Sequence, residues 1–299
     1  MKVLSTFELT RRYGSRLGID GVNLEVAEGS LFGFLGPNGA GKTTTIRILL
    51  GFLEPTSGSA EVFGLDCWRN SATIKKQIGY VPGDLRLYTW MNGHAALRIL
   101  SGIHGRDLTK KGAELAERFR LDMSVHVHKM SRGTRQKLGL IMALVHEPRL
   151  AILDEPTSGL DPLMQDELSN LLRDMAANGH TVFFSSHTLS EVEQLCDHIA
   201  IVREGRIVAN ESLRSLRERA RRTVTLLFDN GEAAGVDVPP FLRILDRGGR
   251  QWRCELAGES SDLIRWAATR SIEDMTIGSP NLESLFRQYY TTESESEAS

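Results

Sequence analysis

Apolar residues in this chain occur either as short unbroken runs or at spacings of three and four residues, and the two patterns predict most of its elements. Unbroken runs such as Leu31–Leu35 and residues 150–153 are typical of strands buried on both faces of a sheet. Spacings of three and four, as within residues 138–145 and 164–175, are typical of amphipathic helices. Because strands and helices alternate along the chain, the pattern predicts an α/β core with a largely parallel sheet.

These elements divide the chain into a large domain, a small domain and a tail. Strands are expected at residues 3–9, 22–26, 31–35, 60–63, 78–82, 150–155, 181–185, 199–202 and 206–209. A helical pattern over about 91–147 predicts a helical subdomain of about 84–147 within a domain of residues 1–219. Residues 220–290 predict a small α+β domain, with strands at 224–228, 241–245 and 252–256, an alternating segment at 272–277, and helices at 261–270 and from 280. Residues 291–299 are too polar to bury a core and are expected to be disordered.

Charge and cysteine content restrict the classes of partner. The net charge is −2 and is concentrated in the acidic tail, so nothing favours nucleic acid as a partner. Arginines near residues 211–222 could face either anionic lipid or water. Three widely separated cysteines give no disulfide framework or zinc spacing, which favours a reducing cytoplasm. With no leader and no apolar run near the ~20 residues of a membrane span, a membrane role is expected only through a partner.

A glycine-rich segment between a predicted strand and a predicted helix fits the phosphate-loop pattern G-x-x-x-x-G-K-[ST] at every fixed position. It consists of Gly36, Pro37, Asn38, Gly39, Ala40, Gly41, Lys42, Thr43 and Thr44. Glycines let successive N–H groups turn toward phosphate oxygens, and the helix adds its positive N-terminal end. Lys42 supplies charge for the β- and γ-phosphates, and the Thr43 hydroxyl suits Mg²⁺. The alternative is a glycine turn beside a surface lysine, but the flanking strand and helix favour a nucleoside triphosphate site.

Two carboxylates end the apolar strand at residues 150–155. Asp154 suits a ligand of Mg²⁺, and Glu155 suits the group that orients and deprotonates an attacking water. The two roles are divided because adjacent strand residues point in opposite directions. Taken alone, such a pair is usually two solvated acids. The phosphate loop upstream favours the interpretation as a metal ligand and a general base.

Together these motifs resemble the ATP-binding subunit of an ABC (ATP-binding cassette) transporter, in particular daunorubicin-type and multidrug exporters with a separate membrane subunit. The resemblance implies a P-loop NTPase fold with a mixed sheet and a helical subdomain, and it assigns further residues. Tyr13 matches the aromatic that stacks on adenine, although it also reads as a half-buried aromatic that closes a turn, and His187 matches the switch histidine at the γ-phosphate. The D-loop corresponds to Ser158, Gly159, Leu160 and Asp161, and the signature motif to Ser131, Arg132, Gly133 and Thr134.

The chain departs from the family pattern at two places. In the signature, Arg132 replaces a glycine and Thr134 a glutamine; Arg132 either adds charge near a phosphate or is solvated. At the Q-loop position, Gly83 replaces a glutamine that would serve Mg²⁺ and couple hydrolysis to the membrane subunit. Asp84 is a candidate to replace that ligand through a water molecule.

The resemblance implies an ATPase that uses ATP and Mg²⁺, in which Lys42, Glu155 and His187 act in catalysis. Each ATP would lie between the phosphate loop of one subunit and the signature of another, so the partner is a second copy or a related subunit. A polytopic membrane permease would hold the pair at the cytoplasmic face of the membrane, and residues 220–290 would assist dimerisation or regulation. Two alternatives remain: a soluble ABC-type ATPase of translation or DNA repair, and a nucleotide-gated module with little turnover.

Overall fold

The computed structural model of the chain describes residues 1–229 and 237–280, together with Leu282 and Phe286. Its strands are β1 (Lys2–Tyr13), β2 (Arg16–Ala27), β3 (Leu31–Leu35), β4 (Ser57–Val62), β5 (Leu65–Asp66), β6 (Ile78–Val81), β7 (Leu150–Asp154), β8 (Thr181–Ser186), β9 (His198–Arg203), β10 (Arg206–Ser212), β11 (Arg222–Phe228), β12 (Leu242–Gly248), β13 (Gln251–Leu256) and β14 (Ile272–Pro280). Its helices are α1 (Lys42–Leu49), α2 (Ser71–Lys75), α3 (Gly93–His104), α4 (Thr109–Arg118), α5 (Arg132–Leu144), α6 (Pro162–Ala177), α7 (Leu189–Leu195), α8 (Leu213–Arg219) and α9 (Ser260–Ala267).

The strand ahead of the glycine loop lies inside a six-stranded sheet of order β10-β9-β3-β8-β7-β6. Strands β3 and β6 to β9 run parallel, and β10 pairs antiparallel with β9. Every residue of β3, β7 and β8 is buried, which explains the unbroken apolar runs at Leu31–Leu35 and at residues 150–153 and 182–184. Parallel strands end at the same edge, and the register places Leu35 beside Ser186 and Asp154 beside Ser185. The glycine loop, the carboxylate pair and His187 therefore leave the sheet side by side.

A second, antiparallel sheet of order β2-β1-β4-β5 covers part of this core. Its apolar residues, including Leu9, Ile19 and Val26, share one cluster with Phe32 of β3 and Ile46 of α1. Strand β1 is longer than the predicted strand at residues 3–9, because it continues through Arg11 and Arg12 to Tyr13. The longer strand carries Tyr13 to the glycine loop.

The helical subdomain lies between β6 and β7 and contains α3, α4 and α5. Its first helix begins at Gly93, where the Asn92 side chain accepts a hydrogen bond from the Ala95 N–H. The segment from residue 84 to Asn92 has no helix, although the subdomain was predicted to begin at about residue 84. This loop places Gly83 and Asp84 next to the end of β6.

The later residues form a separate unit. Strands in the order β12-β13-β11-β14 make an antiparallel sheet, and Trp252, Phe228 and Leu263 of α9 lie in its apolar cluster. The chain divides into Met1–Leu213 and Arg214–Ser299, so the division comes after Leu213 rather than after residue 219, and most of α8 groups with the second unit.

Two C-terminal predictions are affected by what the structure describes. A helix was predicted to begin at Pro280, and this start is wrong because β14 extends to Pro280. Most of that predicted helix and the tail at 291–299 lie outside the described residues. Within the part of the chain that is described, no helix combines the length and the apolar character needed to cross a bilayer.

Candidate nucleotide site

The glycine loop between β3 and α1 depends on glycine for both space and backbone conformation. A Cβ at Gly36 would lie 2.4 Å from the carbonyl oxygen of Val202 in β9. Gly39 and Gly41 have φ angles of 83° and 109°, in the left-handed region that other residues rarely adopt. The loop therefore packs directly against the sheet while its own backbone turns.

Lys42 is held at the centre of the loop. It is only 5% exposed, and its ammonium donates to the carbonyl oxygens of Gly36 at 2.6 Å and Pro37 at 3.2 Å. The same Nζ lies 3.6 Å from Glu155 Oε1. A buried ammonium between carbonyls and a carboxylate is positioned to receive phosphate oxygens.

Thr43 and Asp154 form the pair expected to hold Mg²⁺. The Thr43 hydroxyl donates to Asp154 Oδ2 at 3.1 Å, and the Ser185 hydroxyl donates to the other oxygen, Oδ1. Neighbouring ligands of an octahedral Mg²⁺ at about 2.1 Å lie about 3 Å apart, so the two oxygens fit a shared ion. Asp154 is 3% exposed, and its second oxygen is fixed by Ser185, so the carboxylate is oriented toward Thr43.

Glu155 lies just beyond the end of β7, and its backbone turns there. Its φ of 49° is in the left-handed region, which is uncommon for a residue with a side chain and often marks a functional site. Oε1 of Glu155 lies 3.3 Å from His187 Nδ1 and 3.6 Å from Lys42 Nζ. Strand alternation does not separate the two carboxylates as predicted, because this turn directs both Asp154 and Glu155 toward the glycine loop.

A cavity of about 490 Å³ opens beside the loop. Its lining residues are Tyr13, Arg16, Leu17, Gly18, Asn38, Gly39, Gly41, Lys42, Thr43, Thr44 and Glu155. Tyr13 is 42% exposed, its hydroxyl lies 3.4 Å from Thr44 Oγ1, and the Arg11 guanidinium lies over its ring. A partly exposed aromatic ring at the mouth of a phosphate site suits a nucleobase.

Three wall residues of this cavity were not predicted from the sequence. Arg16, Leu17 and Gly18 belong to the β1–β2 hairpin, and they reach the loop only because the two sheets pack together. A Cβ at Gly18 would lie 2.8 Å from the Tyr13 ring, so glycine at this position makes room for the aromatic side chain. The only hint of these wall residues in the sequence was a glycine, Gly18, shortly after Tyr13.

Comparison with known proteins agrees with this geometry. The pattern that defines the ABC transporter family matches residues 19–158. The bacitracin transport ATP-binding protein BcrA of Bacillus licheniformis is 40% identical over 224 residues, which cover 74% of this chain and 73% of BcrA. The chain belongs to the ABC transporter family, as an ATP-binding subunit. The predicted family and the α/β P-loop fold are thereby confirmed.

Two further relatives of this ABC subunit differ in their extent. The probable multidrug ABC transporter ATP-binding protein YbhF of Escherichia coli K12 is 38% identical over 214 residues, which cover 70% of this chain and 37% of YbhF. A solved structure of an ATP-binding subunit of an ABC transporter is 30% identical and superposes with a TM-score of 0.68. That match covers 73% of this chain and 92% of the solved one, so the match to the ABC fold extends over about three quarters of the chain.

The Q-loop segment of this ABC subunit lines a second cavity, of about 510 Å³, next to Asp154. A Cβ at Gly83 would lie 3.5 Å from Asp154 Oδ2, so the glycine occupies a position next to the proposed metal ligand. Asp84 also lines this cavity, but its side chain is 78% exposed and pairs with Arg86 at 2.8 Å. Burial and the charge of Asp154 raise the pKa of Tyr80 to about 12, so Tyr80 stays a neutral phenol at physiological pH.

The signature segment and the D-loop contact each other within one chain. The Ser131 hydroxyl caps α5 by accepting from the Thr134 N–H at 3.1 Å, and Asp161 caps α6 in the same way. Arg132 Nη2 donates to Ser158 Oγ at 2.6 Å. A Cβ at Gly133 would lie 2.4 Å from the Gly159 carbonyl oxygen. Among the described residues that line the two cavities, none belongs to the signature.

Proposed function

We propose that this ABC subunit hydrolyses ATP with Mg²⁺ and so drives an exporter. The observation that carries the proposal is the position of Glu155 Oε1, which lies within 3.6 Å of both Lys42 Nζ and His187 Nδ1 at the mouth of the glycine loop. A general base, a phosphate-binding ammonium and an imidazole are thereby brought to one point. Phosphoryl transfer depends on such positioning and charge stabilisation.

The residues divide the work as follows. The loop N–H groups and Lys42 hold the phosphates, and His187 reaches the γ-phosphate beside Glu155. Thr43 and Asp154 would hold Mg²⁺, which neutralises charge on the β- and γ-phosphates. Glu155 orients a water molecule in line with the γ-phosphate and takes its proton. Tyr13 stacks on the adenine.

The signature supports a dimer in which two subunits face each other head to tail. Ser131 lies at the N-terminus of α5, where the hydroxyl and the helix end can address a γ-phosphate, yet it does not line its own cavity. A second copy or a related subunit would supply that edge. ATP then stabilises the closed dimer because both subunits bind it, and hydrolysis lets the dimer open.

The membrane partner is proposed from the relatives and from the exposed helical subdomain. BcrA and YbhF carry names that refer to bacitracin transport and to multidrug transport, which supports export. A polytopic permease would bind the segment from about 84 to 147 and hold the subunit at the cytoplasmic face of the membrane.

Crosslinking from that segment in membranes is expected to capture a polytopic protein. Capture of ribosomal or DNA-repair components instead would contradict this partner.

The test of the proposed activity is release of phosphate from Mg-ATP by the purified chain. We expect turnover that requires Mg²⁺ and is lost when Glu155 is replaced. Binding of Mg-ATP without turnover, including in the presence of the membrane partner, would favour a nucleotide-gated module. Failure to bind Mg-ATP would contradict both interpretations.

Replacing Asp84 with alanine is expected to weaken Mg²⁺-dependent hydrolysis, raising the Mg²⁺ concentration needed for half-maximal activity severalfold while leaving the rate at saturating Mg²⁺ nearly unchanged. Asp84 borders the cavity that contains Asp154, and a carboxylate acting through water contributes less than a direct ligand. The measurement is the Mg²⁺ concentration that gives half-maximal ATPase activity. Arg86→Gln is the matched control because it removes the ion-pair partner and keeps the carboxylate. Unchanged Mg²⁺ dependence in Asp84→Ala would contradict the proposal.

A further inference from the structure

Glu191, in the first turn of α7, uses both oxygens of its carboxylate to contact two separate segments. Oε1 accepts a hydrogen bond from the Thr157 hydroxyl at 2.8 Å, and Oε2 accepts one from the Ser186 hydroxyl at 2.5 Å. Both donors are nearly inaccessible to water, with Thr157 8% exposed and Ser186 1% exposed. Buried hydroxyl groups that donate to a carboxylate make strong, directional contacts.

The two segments are those that carry the proposed catalytic pair. Thr157 comes two residues after Glu155, and Ser186 comes immediately before His187. The ladder between β7 and β8 ends at Asp154 and Ser185, and one further backbone hydrogen bond, from the Glu155 N–H to the Ser185 carbonyl, follows at 3.1 Å. Beyond that point, Glu191 joins the two segments through side chains.

The Ser186 contact also fixes the turn that presents the histidine. The Ser186 hydroxyl oxygen accepts a hydrogen bond from the Thr188 N–H at 2.9 Å while its hydrogen is donated to Glu191. His187 lies between these two residues, with its side chain 54% exposed and its Nδ1 3.3 Å from Glu155 Oε1. The position of an exposed imidazole therefore depends on a buried network beneath it.

We propose that Glu191 is a positioning residue that sets the distance between Glu155 and His187. The inference rests on the proposed hydrolysis, because it gives a purpose to that distance. Glu191 does not line either of the two cavities described above, so it acts through Thr157 and Ser186 rather than on the nucleotide. A misplacement of about 1 Å in an active site can cost about 10²-fold in rate.

The test compares Glu191→Gln with Glu114→Gln, which changes an exposed glutamate on α4. Glutamine keeps the size of the side chain, but its amide nitrogen cannot accept from a hydroxyl group, so one of the two hydrogen bonds must reverse its direction and both lose the charge of the acceptor. We expect the kcat for ATP to fall about 10- to 100-fold in Glu191→Gln while KM changes less than threefold. Glu114→Gln is expected to match the wild type.

A double-variant comparison identifies the route of the effect. Thr157→Val removes the donor and keeps the side-chain shape, so we expect it to lower kcat as well. In the Glu191→Gln/Thr157→Val double variant, we expect a smaller loss than the product of the two single losses, because both act on one contact. If Glu191→Gln does not fold, Thr157→Val alone provides the comparison with Glu114→Gln.

The outcomes separate this inference from the proposed function. If the wild type hydrolyses ATP and Glu191→Gln does so at the same rate, the positioning role is overturned and the ATPase proposal stands. A crystal structure of Glu191→Gln measures the Glu155–His187 separation even if the wild type shows no turnover. A separation unchanged from 3.3 Å would overturn the inference, and a displaced His187 would support it.

Discussion

Replacing Glu155 with glutamine is expected to lower the rate of ATP hydrolysis by about 10³-fold and to leave the protein as an ATP-bound dimer. Glutamine fills the same space but cannot take a proton from water, and loss of a general base typically costs 10²- to 10⁴-fold. Lys42, Thr43 and Asp154 remain in place, so ATP still binds. Because ATP is no longer removed, the closed dimer accumulates.

Two measurements check this expectation. Single-turnover phosphate release gives the rate, and light scattering at saturating Mg-ATP gives the mass of the complex. Glu114→Gln, which changes a glutamate on α4, is the control and should behave as the wild type does. A Glu155→Gln protein that stays monomeric at saturating Mg-ATP would contradict the head-to-tail dimer. One that hydrolyses ATP at the normal rate would contradict Glu155 as the base.

Replacing Lys42 with alanine is expected to weaken the binding of Mg-ATP by about 10²-fold or more. The 5% exposed ammonium is held between the Gly36 and Pro37 carbonyls, and alanine leaves no cation there to meet the phosphates. Hydrogen bonds to charged groups contribute about 1.5–3 kcal/mol each, so losing one or two of them accounts for such a decrease.

Isothermal titration with Mg-ATP measures the effect directly. Lys110→Ala, at an exposed lysine of α4, is the matched control and should bind as the wild type does. The melting temperature without nucleotide shows whether the variant is folded. A folded Lys42→Ala protein whose Kd lies within twofold of the wild-type value would exclude the glycine loop as the main phosphate site.

The sequence was most informative where one local rule decides the structure. The strands around Phe32 and Ile152 were predicted because strands buried on both faces must be apolar throughout. The phosphate loop was predicted because its backbone requires glycine and its chemistry requires Lys42. The start of α6 follows a similar local rule, since an Asp-Pro pair satisfies the first turn of a helix and Asp161 caps it.

Features that depend on packing between distant segments could not be read from the sequence. The direction of the Glu155 side chain follows from a positive φ just beyond β7, which no periodic pattern encodes. Glu191 resembles any acidic residue in a first helical turn until the fold brings Thr157 and Ser186 to it. The arginine-rich composition continues through α8 and predicts a division after residue 219, whereas the compact units of the structure divide after Leu213.

In the proposed head-to-tail pair, the hydrogen bond between Arg132 and Ser158 would link the two nucleotide sites. The Ser158 N–H also donates to the Glu155 carbonyl oxygen at 3.2 Å, so the edge offered to the neighbouring subunit is joined to this chain's own catalytic glutamate. A shift of Glu155 when phosphate leaves would therefore move the signature residues that contact the ATP bound by the neighbouring subunit. Such coupling would make nucleotide occupancy of the pair cooperative, because hydrolysis in one subunit would change the binding of ATP at the other site.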